Sequence, residues 1–178
     1  MSISLYSATI PAFLQTLGAV AGLLQKAEAF CAETGIAPGD LIQARLAPDM
    51  HPLAYQVKST AVHSLGAIEG VRRGSFSPDN TTPPETFAAL HERVAQTRSA
   101  LEGITPAEVN GFVGGPMRFV VANRQLDFTA EDFLLSFSLP NFYFHASTTY
   151  DILRLKGLPI GKRDFLGKMR LKDPAGAR

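Results

Sequence analysis

Ile10, Phe13, Leu14, Leu17, Val20, Ala21, Leu24 and Ala27 recur at spacings of three and four residues. An α-helix turns once every 3.6 residues, so this spacing lays all eight on one stripe. The segment is committed to an amphipathic helix whose apolar side needs a partner. Thr34-Gly35 ends it, because glycine supplies the left-handed turn that closes a helix. The pattern then returns. Leu53, Val57, Ala61, Leu65 and Ile68 predict a second helix over 52–72, and Phe87, Leu90, Val94 and Leu101 predict a third. Its start reads as Thr82-Pro-Pro-Glu85, with threonine as N-cap and glutamate placed for a capping box. Glu92, Arg93 and Arg98 fall on its exposed side. A fourth helix is predicted from Thr129-Ala-Glu-Asp132, with Thr129 as its cap, towards Lys156-Gly157. Pro140 inside it should kink the helix or free a carbonyl nearby.

The segments between are short. Pro38-Gly39-Asp40 opens a helical connection over 41–46, and Gly74 to Thr81 reads as an irregular polar link. Met117 to Val121 and Gln125 to Phe128 are β-prone runs around Ala122-Asn123-Arg124, which predicts a hairpin. The expected fold is therefore all-α: a four-helix bundle, one domain over 1–178, with a small β-hairpin before the last helix. From about residue 162 the chain is basic and contains Phe165, Leu166 and Met169. That tail is expected to fold back or dock on a partner subunit, with flexible last residues.

Composition narrows the function. With 46% hydrophobic and 19% charged residues the chain can bury a sizeable core. A net charge of +1 gives no electrostatic reason to bind nucleic acid or an anionic membrane. The apolar stretch over 10–24 is interrupted by Gln15 and Thr16 and lacks a basic flank before it, so neither a signal peptide nor a membrane span is expected. Cys31 is the sole cysteine, which excludes an internal disulfide or a Cys-rich zinc site and fits a reducing cytoplasm. It reads as a buried, inert thiol. Gly111-Phe-Val-Gly-Gly-Pro116 lacks the Gly-Lys-Ser/Thr of a phosphate loop and is followed by a strand.

The chemistry concentrates in Asn141-Phe-Tyr-Phe-His145-Ala-Ser-Thr-Thr149. Residues four apart on a helix lie one above the other, so a histidine at 149 would complete a metal-binding pair with His145. Position 149 is threonine, a poor ligand for zinc or nickel at neutral pH. His63 lies on the second helix, with Ser59 and then Tyr55 or Gln56 one and two turns before it. If both faces point inwards, Tyr55, Gln56, Ser59, His63, Asn141, His145 and Thr149 form a polar pocket. That pocket reads either as a reactive site or as a hydrogen-bonded core network. His51 is twelve residues from His63, about 18 Å along a helix, so it is expected at the Asp49 turn instead. His91, beside Glu92 and Arg93, is expected at the surface. Phe142, Tyr143 and Phe144 must point in different directions and read as core or subunit contacts.

Several strings carry a resemblance. Ser4-Leu-Tyr-Ser-Ala-Thr-Ile-Pro11-Ala-Phe-Leu, Ala44-Arg-Leu-Ala-Pro-Asp-Met50, Leu139-Pro-Asn-Phe-Tyr-Phe-His145 and Gly161-Lys-Arg-Asp-Phe-Leu-Gly167 resemble an uncharacterised bacterial domain-of-unknown-function family. It is grouped with the DinB/YfiT-like putative metalloenzymes, and the resemblance spans roughly Ser2 to Gly167. It implies a four-helix bundle, a homodimer and a divalent metal (zinc, nickel or manganese) held by His63 and His145. The third slot of the implied triad falls on Thr149. The activity so implied is a metal-dependent hydrolase or thiol transferase. The rival reading is a metal-free, non-catalytic homodimer that binds a small molecule or another protein, so whether the chain is an enzyme stays open.

Overall fold

A computed structural model describes residues 3–172. The chain is mostly helical, with four long rods packed around one core and a three-stranded sheet at one end. The first rod is α1, Leu5–Thr34, capped at its start by the Ser4 hydroxyl and closed by Gly35 at φ 75°. By length and composition α1 is long enough to cross a bilayer, more so than the 10–24 stretch suggested. Half of its most apolar window is buried inside the protein, and Ile10, Phe13, Leu17, Val20 and Leu24 are wholly buried. Its apolarity is that of a core helix packed against two others. Cys31 is buried on the same helix.

After the short helix α2 (Pro38–Ile42) comes the second rod, in three parts. Helix α3, Leu53–Ala61, widens into a π turn over Val62–Gly66 and narrows again into α4, Ala67–Arg73. Helix α5, Phe87–Glu102, is the third rod. A small helix α6, Pro106–Asn110, leads to the sheet. The fourth rod is likewise divided: α7 (Ala130–Asp132), a π turn over Phe133–Ser138, then α8 (Leu139–Leu155). Rod two packs against rods three and four, and α1 packs against α5 and α8. Phe13 of α1 meets Phe142 of α8 edge-on, ring centres 4.9 Å apart.

The hairpin is β2 (Pro116–Val121) and β3 (Arg124–Thr129), antiparallel, turning through Ala122-Asn123. The segment expected to be irregular contributes a third strand. Ser75–Phe76, β1, pairs parallel with β2 through Arg118 and Phe119. It lies there because Phe76 is buried against Gly70, where an added Cβ would stand 3.1 Å from the Phe76 Cβ. A larger residue there would push Phe76 back by a few tenths of an ångström, so glycine lets the two chains cross without strain.

Other expectations need correction. Helix α5 starts four residues late, with Thr86 rather than Thr82 as N-cap, its hydroxyl accepting from the Ala89 amide. Residues 82–85 instead belong to a loop held elsewhere. The short helical connection runs over 38–42, not 41–46, because Pro38 serves as its first residue. Arg93 and Arg98 are half-buried, and only Glu92 of the three is fully exposed. His91 is half-buried too, with Nε2 3.2 Å from Glu28 of α1. The disturbance expected at Pro140 takes the form of the wide turn over Phe133–Ser138 just before it, in a helix that runs on into α8.

The tail folds back. Helix α9, Lys162–Leu166, lies on α1, where Lys26 pairs with Asp164 at 2.5 Å and Gln15 Nε2 donates to the Leu166 carbonyl at 2.9 Å. Phe165 meets Tyr150 of α8. The last residues, expected to be flexible, lie outside the described ones.

Candidate functional site

The two π turns face each other and create the site. A π turn widens the helix by one residue and displaces its side chains from the regular stripe. One of these turns carries His63, and the other immediately precedes Asn141 and His145. The hydroxyl of Ser138 crosses between them to the His63 carbonyl at 2.9 Å. A cavity of about 220 Å³ opens there, lined by Tyr55, Ser59, His63, Asn141, His145 and Asp79 among others. Phe76, Phe119 and Phe137 close its sheet side.

Five of the seven residues predicted for the pocket thus line one cavity. Gln56 and Thr149 do not. Gln56 is buried behind His145, and its Oε1 stands 2.7 Å from His145 Nδ1. Thr149 is also buried, with its hydroxyl donating to the His145 carbonyl at 2.9 Å. A threonine that bonds back onto its own helix has turned its oxygen away from the pocket. Thr148 does the same towards Phe144.

Gln56 decides the form of His145. Its Nε2 donates to the His51 carbonyl at 2.9 Å, which leaves Oε1 as the atom facing the imidazole. An amide oxygen only accepts, so His145 Nδ1 carries the proton and Nε2 keeps a lone pair. His63 stands nearby, with ring centres 5.5 Å apart and planes inclined by 15°. Its Nδ1 is buried with no hydrogen-bond partner among the described residues. Burial first, and the neighbouring His145 second, hold His63 down to about 4. Burial, then the charge of His51, does the same for His145. Both rings are therefore neutral at pH 7.

Sequence reasoning missed three residues here. His51 is exposed at the mouth, stacked on Tyr55 at 3.8 Å, and Tyr55 in turn meets the edge of His145 at 6.0 Å. It packs on the next helix rather than the Asp49 turn. Lys58 is wholly buried on α3, and its ammonium donates to the carbonyls of Asp79 (2.8 Å) and Thr81 (2.5 Å). The Asp79 carboxylate lies 3.1 Å from the same nitrogen. Burial raises the Asp79 carboxyl, but hydrogen bonds from Thr81 and Lys58 outweigh it and hold the group below its ordinary value. The visible signal was Lys58 itself, a charge lying between Ala54, Val57 and Ala61 on the inner stripe.

As a donor set for a metal the site is partial. Imidazole nitrogens bind zinc at about 2.0–2.1 Å, which sets two rings on one tetrahedral ion about 5 Å apart. His63 and His145 come close to that spacing. No group of three His, Cys, Asp or Glu placed to hold an ion occurs among the described residues.

A profile described as a domain of unknown function (DUF1993) matches residues 5–166, and the chain belongs to that family. A crystal structure of a DinB family member protein from Shewanella denitrificans is similar in fold. It has a TM-score of 0.79, 29% identity, and 96% of each chain covered. Nothing among curated proteins matches.

Two outcomes follow from this geometry. The imidazoles take protons at about 6.5 when unfolded and only at about 4 in the folded protein. The unfolded chain therefore binds more protons between those values. Stability is at its full value above about 6.5 and falls as pH drops towards 4, by up to about 3 kcal/mol per ring. Urea midpoints across that range should show the fall, and a His63→Asn/His145→Asn double variant should flatten it. Separately, Lys58→Met should cost about 2–4 kcal/mol, since it removes charge-assisted bonds to two loop carbonyls and to Asp79. A midpoint within experimental error of the parent would contradict that.

Proposed function

We propose that this DUF1993 protein, with the plan of a DinB/YfiT-like four-helix bundle, binds a small molecule at the His63/His145 pocket. The observation that carries the reading is the pair of neutral imidazoles. His145 Nε2 keeps its lone pair by virtue of Gln56, and His63 Nδ1 is buried without a partner among the described residues. A general base works best with a pKa near the working pH, and rings held down to about 4 are poor proton acceptors at neutrality. They are good lone-pair donors. The pair therefore suits a divalent cation, such as zinc, nickel or manganese, or a hydrogen-bond donor of a ligand.

Two imidazoles fit two positions of such an ion and leave the others to water or substrate. When bound, the ion supplies acidity to a coordinated water or thiol, the chemistry of a hydrolase or thiol transferase. The chain's own residues do the rest. Gln56 fixes the tautomer and orientation of His145, as the outer partner of a ligating histidine does. Phe76, Phe119 and Phe137 exclude water from one side, while Asn141 and Ser59 present polar atoms to the cavity.

One observation favours a second reading, a metal-free binding protein. Thr149 is turned away, so the position that would complete a triad contributes nothing to the pocket. Metal analysis of protein purified without an affinity tag separates the two. The expected result is about one ion per chain after reconstitution with zinc, nickel or manganese, lost in both His63→Ala and His145→Ala. No retained metal in the parent protein would leave the binding reading alone standing.

The chain is further proposed to be a homodimer acting in a reducing cytoplasm, in keeping with its one buried thiol. Phe144 and Leu155 are 55% and 60% exposed on α8, eleven residues apart and so on one face. Large apolar groups sharing a helix face suit a contact with a second copy. Light scattering at micromolar concentration should give twice the 19.2 kDa chain mass, and Phe144→Glu should shift it to the monomer.

A further inference from the structure

Beside the His pocket lies a larger cleft of about 490 Å³, and the two share Tyr55 and Asp79 as a common wall. Its floor is the His51–Tyr55 stack. Its far side is the loop that Lys58 pins, so Asp79, Asn80, Thr81 and Thr82 are held in place before any ligand arrives. Asp79 itself bonds the Thr81 amide and hydroxyl, at 2.9 and 2.6 Å. The cleft is thus a built feature rather than a gap between mobile segments.

Its charges are the informative part. Asp79 is offset by Lys58. Two other charged groups line the cleft, Arg45 and Glu85, and neither makes an ion pair among the described residues. The Arg45 guanidinium donates one bond, at 2.5 Å, to the Met50 carbonyl. That contact orients the guanidinium, which like the Glu85 carboxylate is exposed at the cleft and free of an ion-pair partner among the described residues. The neutral amides and hydroxyls of Gln43, Asn80 and Thr82 complete the polar lining.

An oriented cation and a separate anion in one pre-built cleft call for a ligand with both signs. We infer that this cleft binds a zwitterionic small molecule of amino-acid or short-peptide type, its carboxylate at Arg45 and its ammonium at Glu85. The guanidinium fork matches a carboxylate in a bidentate way. The imidazole of His51 lines the same cleft. The Tyr55 ring gives the ligand's body an apolar surface. A side group that crosses Tyr55 reaches His145, which places the reacting end of the molecule in the His pocket. This last step rests on the proposed role of the His pair, but the charge recognition does not.

Trialanine is a suitable probe, with its C-terminal amide and its N-acetyl form as controls that each lack one charge. Binding is read from the imidazole ring resonances of His51 in long-range proton–nitrogen spectra of the whole protein. Trialanine should give a saturable shift, and each blocked form should bind about tenfold more weakly or worse. Arg45→Met should bring the parent peptide down to the level of the amide, while Arg45→Lys keeps part of the preference. Glu85→Gln should abolish discrimination against the N-acetyl form only. Metal content measured in parallel on the Arg45→Met protein should stay at the parent level, so loss of peptide binding and loss of metal are separate results. Equal binding of all three peptides, or no saturable shift with trialanine, overturns the inference.

Discussion

The buried ammonium of Lys58 is the contact on which the site depends. A lysine at 1% exposure is costly unless its charge is met, and here three oxygens meet it, two of them main-chain carbonyls of the 79–81 turn. The consequence is architectural. A ten-residue connection between β1 and α5, which contains no regular structure, is fastened to the inner face of α3. Asp79 is thereby set on the wall between the two cavities. Without that pin, one side of each cavity would be a free loop.

A second constraint works on the opposite side of α3. Gln56 ties the His51 carbonyl, at the entry to the helix, to the His145 ring on α8. One amide group thus fixes the helix start, the tautomer of the histidine and the spacing of two rods. Gln56 and Lys58 are buried polar residues of a helix that also buries Ser59 and Thr60, and both find hydrogen-bond partners. Buried polar groups that find all their partners specify a single arrangement more sharply than apolar packing does. Together they hold in place the elements around the cavity, beside a core that Phe13, Leu17, Phe133 and Phe142 fill.

Much of the fold was legible, and the reason is periodicity. The stripes of α1, α3 and α5 are long enough that their burial follows from spacing alone, and Gly35 and Thr129 close or open helices as their chemistry dictates. The hairpin was legible from its two β-prone runs on either side of Ala122-Asn123-Arg124. What was not legible depends on tertiary contact. The π turn over Val62–Gly66 carries no local signal, and the one over Phe133–Ser138 is announced only by Pro140 just beyond it; the Ser138 hydroxyl links the two at the His63 carbonyl. Strand β1 is two residues long and exists because Phe76 is buried at Gly70. The N-cap expected at Thr82 falls at Thr86. The choice went to Thr86 because Thr81 and its neighbours are drawn towards Lys58 instead.

The site divides along the same line. Tyr55, Ser59 and His63 share a cavity with Asn141 and His145 because one-turn steps along a helix are reliable over short distances. Thr149 lies one turn beyond His145 and should by that arithmetic join them. It does not, because a hydroxyl on a helix has a nearer acceptor in the carbonyl four residues back, and a short side chain takes it. A histidine at that position has no such alternative, since its ring is too long to fold onto its own helix carbonyl. Threonine there is thus more than a missing ligand. It is a residue whose own bonding withdraws it, and it leaves His145 with one lone pair, one fixed proton and a cavity whose remaining polar contacts must come from what binds in it.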